Sequence, residues 1–209
     1  MIVFFIFGKF RCFSFMQIDY NIDLEGWIKM VQTTDPIYIR LLEEKDAEGL
    51  WNLELRNRDF FKDYSTARKE EFYTLHFQEQ LINTWKENAK QDIDYHFGIF
   101  LQESNELIGS VNLYMVRREP AHNAIVGYVL DKDSNGKGYM TLAVKKLVDY
   151  AFHTLSLHRL EAGVMPHNVG SIRVLEKAGF HKEGIAKSNV KINGEWKDHQ
   201  ILAIINPND

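Results

Sequence analysis

AIVGYVLDKDSNGKGYMTLAVKKLVDYAFHTL, residues 124–155, runs from a strand through a Gly-containing loop into a long amphipathic helix. The apolar residues up to Leu130 are bounded by polar turn formers, which predicts a strand over Asn123 to Leu130. Asn135-Gly136-Lys137-Gly138 ends the loop, and a helix is predicted from Tyr139 to Leu155. Met140, Ala143, Val144, Leu147, Val148, Ala151, Phe152 and Leu155 form one apolar stripe, with Lys145, Lys146, Asp149 and His153 on the other side. The start of such a helix leaves four N–H groups without intrahelical partners and carries about half a positive charge. Glycines just before it let a phosphate approach the backbone closely, so the stretch is a candidate pyrophosphate site. A single G-K-G fits a simple turn equally well.

Two well-known phosphate loops are excluded. A G-x-x-x-x-G-K-[ST] loop would need glycine where Asp131 stands and a hydroxyl residue where Gly138 stands. A G-x-G-x-x-G fingerprint would need glycine at Thr141.

Outward from this stretch, Ile37 to Leu41 alternates after Pro36 and predicts a strand. Asp46 is placed to cap a helix through Leu50, Trp51, Leu53 and Leu55, which Asn57-Arg58-Asp59 should break before an aromatic loop at Phe60 to Tyr64. Phe72, Leu75, Ile82, Trp85 and Ala89 predict one long helix over Lys69 to Lys90, its aromatic stripe belonging to the core. Strands follow at Tyr95 to Leu101, Leu107 to Val116 and, beyond the long helix, Arg159 to Met165. Asn168 to Ala178 reads as a short helix, and the segments flanking Asn193-Gly194 as a closing hairpin. This order rules out a regular doubly wound alternation. It predicts an α/β fold of the α+β type, a mixed sheet with helices on both faces.

The chain has 209 residues, 45% hydrophobic and 26% charged, with 25 Lys and Arg against 29 Asp and Glu. That is enough for one domain with a sizeable core, and it lacks the basic excess of a nucleic-acid binder. Cys12 is the single cysteine, so no intrachain disulfide can form, which fits a reducing, cytoplasmic setting. The histidines lack metal-ligand spacing, and no metal is expected. Residues 1–29 read as an extension outside the core, with a natural start at Met30 and the core over 30–209. Lys9 and Arg11 interrupt its apolar run well short of the roughly 20 residues a membrane span needs, and an interfacial anchor is the other reading.

A second block, Asn168-Val169-Gly170-Ser171-Ile172-Arg173-Val174-Leu175-Glu176-Lys177-Ala178-Gly179-Phe180, stands one strand beyond the first. Together, N-G-K-G-Y-M-T before a striped helix and N-x-x-S-x-x-x-x-x-K-x-G-F resemble the two motifs of the GNAT acetyltransferase superfamily. The resemblance spans about Ile37 to Ile205 and looks closest to the Rim-type ribosomal-protein N-terminal acetyltransferases, whose G-E-W-K-D segment is also similar. It implies a mostly antiparallel mixed sheet, acetyl-CoA as co-substrate and acetyl transfer to an amine. It places the cofactor on Asn135, Gly136, Lys137, Gly138, Tyr139 and Met140, on backbone groups of Val129 and Leu130, and on Asn168 and Ser171. Two departures stand out: Asp133 occupies the first position of the loop pattern, and Ile125 the place where Rim-type enzymes often carry a basic glutamate.

The implied chemistry needs a neutral amine and a proton for the departing thiolate. An α-amine of pKa about 7.7–8.0 costs about 1 kcal/mol to neutralise at pH 7, a lysine roughly 4–5. The missing glutamate therefore favours a protein N-terminal α-amine as acceptor. Other readings are a polyamine or amino-sugar acceptor, or a CoA-binding sensor without turnover; a homodimer is compatible with each. His122, with Glu119 and His96 behind it, is the candidate base. Ser171 is either the acid that protonates the thiolate or a first-turn residue capped by Asn168. Phe60 to Tyr64, the Arg117 to His122 loop and Trp196 are expected to line the acceptor side.

Overall fold

The computed structural model describes residues 18–22, 28–32, 35–66 and 68–209. Two compact units divide the chain after Asp35. In the first, β1 (Ile18–Ile22) and β2 (Ile28–Gln32) form an antiparallel pair with Ile18 opposite Gln32. Met30, taken above as the start of the core, stands inside β2. The apolar run before Ile18 lies outside the described residues.

In the second unit, seven strands form one sheet: β3 (Ile37–Leu41), β4 (Tyr95–Leu101), β5 (Leu107–Arg117), β6 (Asn123–Leu130), β7 (Arg159–Val164), β8 (His181–Ile192) and β9 (Glu195–Ile205). Their spatial order is β3-β4-β5-β6-β7-β9-β8. Every neighbouring pair is antiparallel except β6 and β7. This is the mixed, mostly antiparallel sheet expected. The helices are α1 (Ala47–Arg56), α2 (Arg58–Lys62), α3 (Leu75–Lys90), α4 (Tyr139–His153) and α5 (Val169–Lys177).

Strand alternation sorts the side chains between two faces. Phe97, Ile99, Val111, Leu113, Ala124, Val126, Leu160 and Ala162 pack with Ala143, Val144 and Leu147 of α4 and Leu175 of α5. On the other face α1 and α3 cover Phe100 and Leu107 with Leu50, Leu53 and Ile82. The stripe of α4 is buried where the helical period places it, down to Phe152. The sheet is thus covered on both faces, and its strands position the site.

Three local readings are corrected. The Asp46 side chain does not cap α1: Arg40 on β3 claims it at 2.6 and 2.7 Å, and it accepts from Glu43 N–H at 2.8 Å, so it closes a 3-10 turn over Glu44–Asp46 instead. Asn57 does not stop helical structure. Buried, it donates to Leu53 O, while its own carbonyl accepts from Phe61 N–H at 2.8 Å, so the aromatic segment begins as α2. Lys69 to Lys90 is not one helix. Thr74 is extended and its hydroxyl caps Phe77 N–H, which separates a 3-10 turn over Glu70–Tyr73 from α3.

Candidate active site

Strands β6 and β7 pair over only Asn123–Ile125 and Arg159–Glu161. Beyond that rung β6 stays with β5 and β7 with β9, so the two middle strands fork. A cavity of about 640 Å³ opens at the fork. Tyr128, Val129 and Leu130 line it from β6, and Asn135, Gly136, Gly138, Tyr139 and Met140 from the loop and first turn of α4. Asn168, Ser171, Arg173 and Lys177 face them from α5 and its cap, with Phe60 and Phe61 of α2 and Tyr64 in the turn after it. Thus one cavity gathers the predicted cofactor residues except Lys137, whose ammonium lies outward, 6.0 Å from the Tyr139 ring centroid.

Gly136 and Gly138 have φ of +79° and +81°, a conformation that L side chains rarely adopt. A Cβ on either would meet no protein atom within 4 Å. The loop therefore presents an open backbone cradle at the N-terminus of α4, the geometry a pyrophosphate needs. Supports reach it from the far side of the sheet. The Asn57 amide oxygen accepts from Lys132 N–H at 2.9 Å, and Asp131, buried, accepts from Asp133 N–H at 3.0 Å and from the Arg56 guanidinium. Burial alone would raise the Asp131 carboxyl, but those donors outweigh it and hold it below the usual carboxylate range. The supporting role of Arg56, Asn57 and Asp131 is not legible in the sequence, because the partners lie 75 residues apart.

The edge of β6 facing the fork carries free main-chain groups. Asp131 N–H bonds Ile108 O opposite it, so odd-numbered residues, Val129 included, direct their peptide groups to β5. Tyr128 and Leu130 direct theirs into the gap. Leu130 remains a backbone donor and acceptor for an extended ligand; in place of Val129 that role passes to Tyr128.

Tyr128 is also the site residue the sequence reading missed. Its hydroxyl lies 2.7 Å from Ser171 Oγ and 3.1 Å from Ser171 O. With the Tyr128 O–H donating to Ser171 Oγ, the shorter of its two contacts, the serine O–H is left to donate into the cavity. Burial pushes the phenol up to about 12, the Ser171 bond opposing it, so at neutral pH it is a protonated donor. Asn168 caps α5: its Oδ1 accepts from Ser171 N–H at 3.1 Å, which leaves its NH₂ for a ligand carbonyl. Capping and an acid role are thus compatible, since the cap uses the Ser171 N–H and leaves its hydroxyl in the cavity.

The candidate bases are not brought there. His122 precedes β6 at its paired end; its Nε2 lies 3.0 Å from Glu119 Oε1 and its carbonyl accepts from His158 N–H, and neither it nor Glu119 lines the cavity. Adjacency to the strand in sequence said nothing about which end of it forks. His96 is buried under α3, stacked 4.0 Å from the Trp85 ring, and loss of solvation lowers its pKa to about 3, too weak for a base. Trp196, at 62% exposure, is also outside the cavity lining.

Residues 37–181 match the family model described as Acetyltransferase (GNAT) domain. The chain belongs to the GNAT acetyltransferase family. It is 56% identical over 173 residues to "Probable N-acetyltransferase YjcK" of Bacillus subtilis, covering 83% of this chain and 96% of that protein. It is 35% identical over 179 residues to the [Ribosomal protein uS5]-alanine N-acetyltransferase of Escherichia coli, covering 86% and 92%. The crystal structure of ribosomal-protein-S5-alanine acetyltransferase from Vibrio fischeri superposes with a TM-score of 0.80 at 33% identity, over 83% of this chain and 95% of that one. The Rim-type branch of the GNAT family is therefore where this chain sits.

The GNAT domain is an acyltransferase that uses acetyl-CoA, which supplies an activated acetyl thioester. Its residues fit that co-substrate: the glycine cradle and α4 N-terminus for pyrophosphate, Arg173 and Lys177 for further phosphate charge, and the Tyr128 and Leu130 edge with the Asn168 amide for pantetheine amides. Among the described residues no helix is long and apolar enough to cross a membrane.

Proposed function

We propose that this GNAT enzyme acetylates the α-amine of a protein N-terminus, of the ribosomal-protein kind. The observation that carries the reading is the lining of the fork cavity. It holds Phe60, Phe61 and Tyr64 beside Arg173 and Lys177, and it contains no Asp or Glu among the described residues. A polyamine would bring ammonium groups beyond the reacting one into this lining and leave them unpaired, at a cost of several kcal/mol per buried ion. A peptide brings one amine, of low pKa, and apolar surface that suits the aromatic wall. Similarity to the uS5-alanine enzymes supports the same reading. In this scheme the main-chain edge of β6 and the Asn168 amide hold the co-substrate, Ser171 with Tyr128 delivers the proton to the sulfur, and the α2 aromatics hold the acceptor.

The test is CoA release with alanine-initiated ribosomal-protein peptides, spermidine and an amino-sugar as acceptors. The peptide should win by at least about 100-fold in kcat/KM, a difference of about 2.7 kcal/mol in transition-state binding. A preference for spermidine would overturn the acceptor, and tight acetyl-CoA binding with no acceptor turned over would favour a sensor.

A further inference from the structure

The last rung before the fork places Ile125 of β6 opposite Glu161 of β7. These strands are parallel, so residues paired across them point to one face. Ala124, Val126, Leu160 and Ala162 fill the core under α4 and α5, which turns Ile125 and Glu161 to the opposite face, the one that α1 and α3 share. On the forked strands that face carries Ile125, Gly127 and Val129 from β6 and Arg159, Glu161 and Gly163 from β7. Glu161 is its one carboxylate, and it stands about 4.8 Å across from the position of Ile125.

We propose that Glu161, which stands at the apex of the fork and is not among the residues lining the cavity, binds the single acceptor amine there and takes its proton. The proposal rests on the acetyl-transfer function proposed above. One oxygen, Oε1, accepts from Arg159 Nε at 2.9 Å. The other makes no hydrogen bond among the described residues, and the side chain is 35% exposed, open to an incoming ammonium. Arg159 does not neutralise it outright, because the rest of the guanidinium is engaged by Glu183 on β8, with Nη1 at 2.9 Å from Glu183 Oε1. His181 lies 3.2 Å from that same Glu183 oxygen. On that face the titratable groups are Arg159 on β7 itself, Tyr114 on β5, His199 on β9 against Gly163, and His181 and Glu183 on β8 beyond it. The cluster holds one carboxylate in place at the point where β6 and β7 part.

The step balances as follows. The ammonium gives one proton to the Glu161 carboxylate, which later releases it to solvent. The freed nitrogen lone pair forms the new C–N bond while the C–S bond breaks. The second proton lost by the nitrogen accounts for the one that the thiolate receives through the Ser171 and Tyr128 hydroxyls. One amide, one thiol and one proton in solution result.

The experiment compares wild type, Glu161→Gln, and the double variant Ile125→Glu with Glu161→Gln, using the best acceptor peptide. Glutamine keeps the size and can still accept from Arg159, so folding and acetyl-CoA affinity should persist. Glu161→Gln should lower kcat by roughly 100-fold. Its residual rate should climb about tenfold per pH unit towards the amine pKa, where wild type is flatter. Moving the carboxylate one strand over in the double variant should restore at least a tenth of the lost rate. A Glu161→Gln rate within twofold of wild type overturns the proposal, as does a loss that leaves the pH profile unchanged and that Ile125→Glu does not rescue. A wild type that turns over no amine is the separate failure, that of the acetyl-transfer reading itself.

Discussion

Replacing Gly138 tests the cradle through two separable effects. Its φ of +81° is strained for any L residue, so Gly138→Ala should cost about 1–2 kcal/mol of stability. No protein atom lies within 4 Å of the added Cβ, so nothing within the fold is displaced. Gly138→Asp is strained no more than alanine, since aspartate tolerates a left-handed φ better, and it adds a negative charge where the pyrophosphate docks. At about 5 Å and an effective dielectric constant near 20, one charge pair costs about 3 kcal/mol, on the order of 100-fold in affinity. The assay is calorimetric titration of acetyl-CoA into wild type and both variants, with melting curves alongside. The aspartate variant should melt no lower than the alanine one, yet bind acetyl-CoA about 100-fold more weakly. The gap should narrow at high salt, because the site is open to solvent. Equal affinities for the two variants would refute a phosphate on this backbone.

Ser171→Ala and Tyr128→Phe should each lower kcat about 10- to 100-fold with little change in acetyl-CoA affinity, and the double variant should fall short of the product of the two because they form one hydrogen-bonded pair; steady-state kinetics with wild-type turnover in either single variant would remove that residue from the proton path. His122→Ala should leave kcat/KM within twofold, since the imidazole is held by Glu119 away from the cavity, and a tenfold loss in the same assay would contradict that placement. The Asp131 carboxyl is held below its ordinary value, so its contribution is present above the unfolded pKa near 4 and is lost as pH falls through the lower folded one. Melting of wild type and Asp131→Asn should therefore differ at pH 7 and converge towards pH 2; a gap that persists at pH 2 would show that the charge is not what matters.

Much of the frame is visible in the chain because it rests on local periodicity. The α4 stripe, the alternation of β3 and the Asn193-Gly194 turn each declare their element within a dozen residues. The N-x-x-S block likewise carries its own cap, Asn168 to Ser171. What escapes is set by distant partners. Arg40 takes Asp46 from its helix-capping position, and Thr74 interrupts a stripe that spacing alone would run through. The fork is the clearest case. β6 meets β7 for only three rungs, while β5 stays with β6 and β9 with β7 beyond them. Without the fork, Tyr128 is one more strand tyrosine and Glu161 one more charged strand residue. Nothing local in A-I-V-G-Y marks Tyr128, whose partner Ser171 lies 43 residues on, and the Ile125–Glu161 pairing has no local mark either.

The most direct test is a crystal structure with a conjugate in which the sulfur of CoA is joined through an acetyl bridge to the α-amine of an alanine-initiated peptide. The pyrophosphate should lie on the N–H groups from Gly136 to Met140, the pantetheine between the Tyr128–Leu130 edge and Asn168, and the bridging nitrogen on the Ile125 face within hydrogen-bond reach of Glu161. Pyrophosphate density away from the Gly136–Gly138 loop, or a peptide that leaves the fork on the α4 and α5 side, would contradict the account.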